Sequence, residues 1–519
     1  MDIVPEVGTF ERHLDARIDD GLVRRLCLCG VSRGHAHSCR RGSRCRHRRQ
    51  KFTLALRMHF NPHPESSPRV IADKFIKAYS RCGTPTTLRR HCHVFATIAH
   101  IDGWKGRRSR GAFRHGGRVS NPTQIEGMLN NLVYNLFAQS GQDARGGAGP
   151  KEIGNLVVFD HPGSVDTIVK AATLFRKNFS LISALGFSRF NTNDEEWATR
   201  RAITQDRYLA AAKPAHEAGV YEIFSDCLAG SEPSLTGIQQ ALLAGALKIF
   251  YQAFGLAADA RPTAALLDRV REVLRRLQYY SWVTPSNDER NSAIQDARAV
   301  IADFGSQLMA DAQAAAEMGR FAEKAQGIES FSPIEEFVMN LFAGVETTVT
   351  TVLWVVDRLG ANQKVQERIH DEILGDGPQT PFTDCFINET MRYFPPIPFL
   401  TREVSTDTIL DGTALRAGQL VMLSVVGVHQ HPDFWENPRT FDASRKEFID
   451  NSFDRRAFIP FLTGPRMCGG ARLGRLEVEQ AIRAVVRQFA FARADDVVRF
   501  DYALALRPAS GISVTVSRR

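Results

Sequence analysis

Four groups of side chains in this sequence have types and spacings suited to chemistry. The first is Phe461-Leu-Thr-Gly464-Pro-Arg466-Met-Cys468-Gly469-Gly470. Gly464-Pro465 and Gly469-Gly470 put turn-forming residues on both sides of Cys468, so backbone N–H groups can point at its sulfur. A helix begins just after the loop, and its positive end favours a thiolate. Arg466 supplies a fixed cation two residues upstream. The second group is Ala343-Gly344-Val345-Glu346-Thr347-Thr348. A glycine, an acid and hydroxyls inside an otherwise apolar helix are locally costly. The third is Glu389-Thr-Met-Arg392, opposite charges at i and i+3 on one helix face. The fourth is Trp197-Ala-Thr-Arg-Arg201, an indole and a guanidinium four residues apart.

The elements that must position these groups are mainly helical. Ile334, Phe337, Val338, Leu341, Phe342 and Val345 share one face, which predicts a long helix over 331–359 carrying Glu346 and Thr347. Helical patterns also cover 121–140, from Pro162-Gly163 to about 175, 192–212, 235–280, 383–394 and 471–489. The 383–394 helix must stop at Pro395-Pro396, where the N–H is missing and the ring clashes. Asn155–Asp160 is an apolar strand. Short strands with turns at Asp411-Gly412 and Ala417-Gly418 fill 402–428, and 432–460 is irregular.

The cysteine segment resembles the haem-binding loop of the cytochrome P-450 superfamily, F-x-x-G-x-R-x-C-x-G, at every defined position. A chance match in such a chain is about one in several thousand. The resemblance implies the cytochrome P-450 fold, mainly α with small β-sheets, in one large haem-binding domain of the bacterial soluble type. It implies haem b with Cys468 as the iron ligand, whose electron donation favours O–O cleavage. Phe461 then packs on the proximal side, and Arg466 pairs with a propionate. Trp197 and Arg201 resemble the family's W-x-x-x-R helix, which reaches a propionate, and Arg402 resembles the strand arginine for the other.

The same resemblance makes Glu346 and Thr347 the acid–alcohol pair that delivers protons to O2, in a motif that opens the distal helix. Glu389 and Arg392 become a structural ion network whose third member is Arg445. Here Phe441 and Arg445 remain, but the usual proline, glutamate and final phenylalanine of that segment are absent. The resemblance covers about 121–519, with all five elements in the family's order. It implies a monooxygenase that inserts one atom of O2 into an apolar substrate, lined by about 178–195 and 215–285. A ferredoxin or flavoprotein supplies electrons, docking near Arg472, Arg475 and Arg200. A haem-thiolate peroxygenase or isomerase is the alternative, disfavoured because both Glu346 and Thr347 are kept.

Composition is that of a globular protein, with 43% hydrophobic and 24% charged residues. The net charge of +9 is split unevenly: residues 1–120 carry +16 and the other 399 carry −7. That first segment also has six of the nine cysteines and ten of the fifteen histidines, and 31–50 reads as disordered. Its Cys and His spacing fits no zinc pattern, and its basic run lacks interleaved aromatics for base stacking, so nucleic-acid binding is not expected. Disordered or non-native sequence are the two readings of 1–120. The three later cysteines form no disulfide framework. No run of 18 apolar residues predicts a membrane span, and Met1–Asp20 has six acids and no apolar signal core. A cytoplasmic protein is expected.

Overall fold

A computed structural model describes residues 118–119, 133–137 and 151–519, apart from 154–155, 179–181, 258–263, 281–286, 326, 330, 376–379, 495–496, 503–504 and 510–513. The expectations for 1–117, and most of the predicted helix 121–140, lie outside the described residues.

The centre is the helix Pro333–Gly360. Ser332 caps it by accepting the Glu335 N–H, Pro333 occupies the first turn, and Glu335 and Glu336 complement the dipole there. It is apolar on nearly every side because it is surrounded. Helices Leu235–Ala253, Asn287–Met309, Pro381–Tyr393 and Ala471–Gln488 all pack on it. Among the described residues it is the one helix long and apolar enough to cross a membrane, yet 78% of that apolar window is buried inside the protein. Trp354 anchors its far end, stacked on Phe394 at 4.0 Å and donating from Nε1 to Leu506 O at 2.7 Å. Its one N–H donor is satisfied, which is what a buried indole requires.

The sheet gathers distant segments in the order Lys151–Ile153, Leu156–Phe159, Leu420–Ser424, Phe399–Val404 and Phe175–Arg176. Leu156–Phe159 runs parallel to Leu420–Ser424, and the other pairs are antiparallel. The sheet is therefore not confined to the late part of the chain. Other boundaries also differ from expectation. The helix after Pro162 ends at Lys170, and a turn leads to the strand at Phe175. The predicted 235–280 helix is two, Leu235–Ala253 and Ala264–Tyr280, because Gly255 takes a positive φ of 74° after Phe254. Residues 425–429 form a short helix rather than strand.

Candidate haem-thiolate site

The cysteine loop is shaped by backbone constraints. Gly464 has φ 71°, and a Cβ there would press on Val169 O, so glycine is required twice over. The Cys468 N–H donates to Phe461 O at 2.9 Å, closing the loop, and Met467 N–H donates to Gly464 O at 3.2 Å. Phe461 packs at the edge of the main core beside Gly474. The helix Ala471–Gln488 starts immediately afterwards, with Gly470 as its N-cap.

Cys468 is solvent-accessible yet deeply surrounded by protein. That surrounding pushes the thiol up, while the Gly470 N–H and the Arg189 guanidinium pull it down. The net direction is upward, so the dipole and backbone donors alone do not hold a thiolate; coordination to a metal deprotonates such a thiol outright. Arg466 is not the cation that acts on the sulfur. Its guanidinium lies 3.7 Å over the Trp197 ring.

Around that indole the chain collects positive charge. Arg201 lies 5.3 Å from the Trp197 ring and donates to Pro465 O at 2.9 Å. The Lys177 ammonium lies 5.9 Å from the same ring and donates to Arg189 O at 2.8 Å. Arg402 is 4% exposed and donates to the neighbouring Thr401 O. Among the described residues none of Lys177, Arg201, Arg402 and Arg466 has a carboxylate partner. Burial, then Arg466, Arg402 and Arg189, push Lys177 down to about 6. Burial and Arg466 push Arg402 down to about 10. Arg466 Nη1 is buried with no acceptor at all. Desolvated cations of one sign, one with an orphaned donor, fit a ligand that brings two carboxylates. The propionates of haem b meet that description. Lys177 has no motif to announce it; the only signal is a basic residue following the strand Phe175–Arg176.

On the long helix, Ala343 is exposed and Gly344, Glu346 and Thr347 are half-buried, in a stretch otherwise closed. The helix runs unbroken through them, so the expected opening is absent. Hydroxyls satisfy the carbonyls instead: Thr347 donates to Ala343 O at 3.0 Å, Thr348 to Gly344 O at 3.1 Å and Thr351 to Thr347 O at 2.8 Å. Glu346 turns outward, accepting from Arg271 Nε at 3.1 Å, and Arg271 also pairs with Asp268 at 2.8 Å.

A further acid lies beneath. Glu477 is buried, its Oε2 is 2.9 Å from Thr348 Oγ1, and burial pushes it up to about 8. Thr348 has one hydroxyl proton and two oxygen neighbours, and a protonated Glu477 resolves the conflict by donating to Thr348. No motif in the sequence pointed to Glu477.

Glu389, fully buried, accepts from Arg392 Nε at 2.6 Å and Arg445 Nε at 2.7 Å on one oxygen. Its other oxygen accepts from both Nη2 atoms and from the Asp442 N–H at 2.8 Å. The remaining guanidinium donors go to carbonyls of His429, Glu436, Pro438 and Thr440. The missing proline and glutamate are not needed for this contact, because Phe441 fixes the segment by packing on Phe386, Tyr393 and Phe394.

Two of the three arginines expected to meet an electron donor are committed elsewhere. Arg200 is fully buried against Glu336 at 2.9 Å and Glu196 at 2.8 Å. Arg475 binds Glu479, Asn388 and Asp384. Arg472 alone is exposed. The stretch expected to line the distal pocket, 178–195, also turns partly elsewhere: Phe187 and Arg189 give their N–H groups to Glu335 and Glu336.

Residues 288–516 match the family model described as Cytochrome P450. Cytochrome P450 4X1 of Rattus norvegicus is 36% identical over 190 residues, 33% of this chain and 37% of that protein. The taurochenodeoxycholic 6 alpha-hydroxylase of Sus scrofa is 36% identical over 163 residues, 29% of this chain and 32% of that protein. The chain spans about a third of the length of these curated relatives. A zebra fish cytochrome P450 solved with progesterone has a TM-score of 0.61 at 18% identity, over 75% of this chain and 99% of that one. The haem domain of cytochrome P450DA gives 0.60 at 17%, over 78% and 98%. The fold is therefore that of the cytochrome P450s. These curated relatives are mammalian, so they do not support the bacterial soluble type.

Proposed function

We propose that the chain is a haem-thiolate monooxygenase that inserts one atom of O2 into an apolar organic substrate. The second atom leaves as water, using two electrons and two protons from outside. The observation that carries this reading is the accessible Cys468 loop beside four basic side chains that, among the described residues, form no ion pair with an acid. Haem b bound there supplies the activation of O2.

The chain's own residues have separate tasks. Cys468 offers its sulfur, with the Gly470 N–H directed at it. Arg402, Arg466, Arg201 and Lys177 hold the propionates. Thr347 places a hydroxyl on the accessible strip of the long helix and, with Glu346 beside it on Arg271, forms the proton relay. Electrons come from a separate ferredoxin or flavoprotein, for which the exposed Arg472 is the remaining docking cation.

The test is turnover of a panel of apolar substrates with O2 and a reduced donor, against peroxide alone. Product carrying label from 18O2, formed only with the donor, is the expected outcome. Turnover with peroxide and none with O2 and donor would make the protein a peroxygenase instead.

A further inference from the structure

Arg189 is a buried cation that this reading does not use. It lies between the turn Ile182–Leu185 and the helix Asp194–Ala211, and is 8% exposed. Its guanidinium donates to Thr204 Oγ1 at 2.9 Å and Gln205 Oε1 at 3.0 Å. Both acceptors are neutral. Among the described residues no carboxylate hydrogen-bonds its guanidinium: Glu336, which attracts it through space, spends Oε1 on the Arg189 backbone N–H at 3.1 Å and Oε2 on Arg200. A guanidinium buried on neutral acceptors alone is expensive, so a counter-charge has to be close.

The geometry on the other side of the guanidinium identifies it. A Cβ on Gly469 would collide with the Arg189 guanidinium, so the two occupy adjoining space. Gln205, whose Oε1 holds Arg189, donates from Nε2 to Gly469 O at 2.9 Å and fixes the loop against the cation. Among the described residues Arg189 is the one charged side chain that acts on the Cys468 thiol. The Tyr208 ring, 5.7 Å away, closes the site beside Gly470.

We propose that Arg189 is a positioning residue that supplies the positive charge facing the Cys468 thiolate, and that Gly469 is the gap through which it reaches. This rests on the haem-thiolate reading. With haem held by Cys468, reduction of its iron by the external donor would place added negative charge beside the sulfur. A fixed cation favours that state, because charge and hydrogen bonding around the sulfur tune the potential.

The test is the ferric/ferrous midpoint potential of the haem-loaded protein, with the reduced, CO-bound spectrum recorded for each variant. Arg189→Gln is expected to lower the reduction equilibrium constant about tenfold, a shift of about 59 mV to more negative potential. Arg189→Lys should recover most of it. Gly469→Ala leaves Arg189 in the chain but displaces its guanidinium, and should shift the potential in the same direction. It should add nothing on top of Arg189→Gln. An unchanged potential in either Arg189→Gln or Gly469→Ala, with a thiolate-type Soret band intact, overturns the proposal; so does an equal shift in Arg189→Gln and Arg189→Lys. Where Arg189→Gln fails to fold, Gly469→Ala decides alone. A wild-type protein without the thiolate-type band overturns the underlying reading, a result distinct from a band with an unmoved potential.

Discussion

Two sets of basic side chains in this protein differ in what opposes them. Arg392 and Arg445 close on Glu389, and their spare donors are taken by main-chain carbonyls. Arg402 and Arg466, with Arg201 and Lys177, repel one another, and among the described residues none of them forms an ion pair with an acid. The charge is the same, but within the second set only Arg402 is as buried as Arg392 and Arg445. The first set is completed inside the chain and holds the 429–445 segment on the helix Pro381–Tyr393. The second is completed only by something anionic that binds. Charge left unpaired by the fold marks a binding site; charge paired by the fold marks a brace.

That contrast can be broken most forcefully at Glu389. Glu389→Gln leaves two buried guanidinium groups without their anion, and a loss of about 3–5 kcal/mol is expected in urea unfolding of the haem-free protein. A stable variant would show that the brace carries no load. At the other set the sign reverses. Arg466→Ala or Arg402→Ala relieves like-charge repulsion, so the haem-free protein keeps or gains stability. Haem affinity should fall about tenfold to a hundredfold, the worth of a charged hydrogen bond. If both variants unfold easily and bind haem normally, the two sets are not different in kind.

Lys177 sharpens the contrast through pH. In the haem-free protein it is neutral above about pH 6. An anionic ligand restores its charge, so binding takes up a proton above that pH. Haem affinity should therefore fall with rising pH, by up to about tenfold per unit, and Lys177→Met should flatten the profile. The most gradual effect belongs to Glu477, a buried acid that no arginine reaches. It stays protonated to about pH 8 when folded, whereas the unfolded chain ionises it near the ordinary carboxylate value of about 4.3. The stability it contributes at low pH is thus lost as pH rises toward 8. Unfolding free energy should decline there by less than about 1.4 kcal/mol per unit, and Glu477→Gln should remove that slope.

The parts of the site legible in the sequence are those built by neighbours in the chain. Gly464 and Gly469 shape the loop around Cys468 within ten residues, and Glu389 and Arg392 meet across one helical turn. The long helix could be read because its apolar face is continuous. Arg445 meeting Glu389 was readable only through the resemblance. Lys177, Arg189 and Glu477 were not readable, because tertiary packing alone brings them to the site. The sheet escaped for the same reason: Leu156–Phe159 is apolar enough to be a strand, but nothing local says that its partner is Leu420–Ser424. Asn287–Met309 was missed as a helix because alanine and polar residues leave its apolar stripe thin. The outward turn of Glu346 was also hidden, since its partner Arg271 comes from a different helix.

The central claim is that Cys468 is the sulfur ligand of a bound haem. The most direct measurement is the absorption spectrum of the reduced, CO-bound protein, wild type beside Cys468→Ala. The wild type should show the thiolate-type Soret band and the variant should lose it while remaining folded. A wild type without that band, or a Cys468→Ala protein that keeps it, would contradict the account.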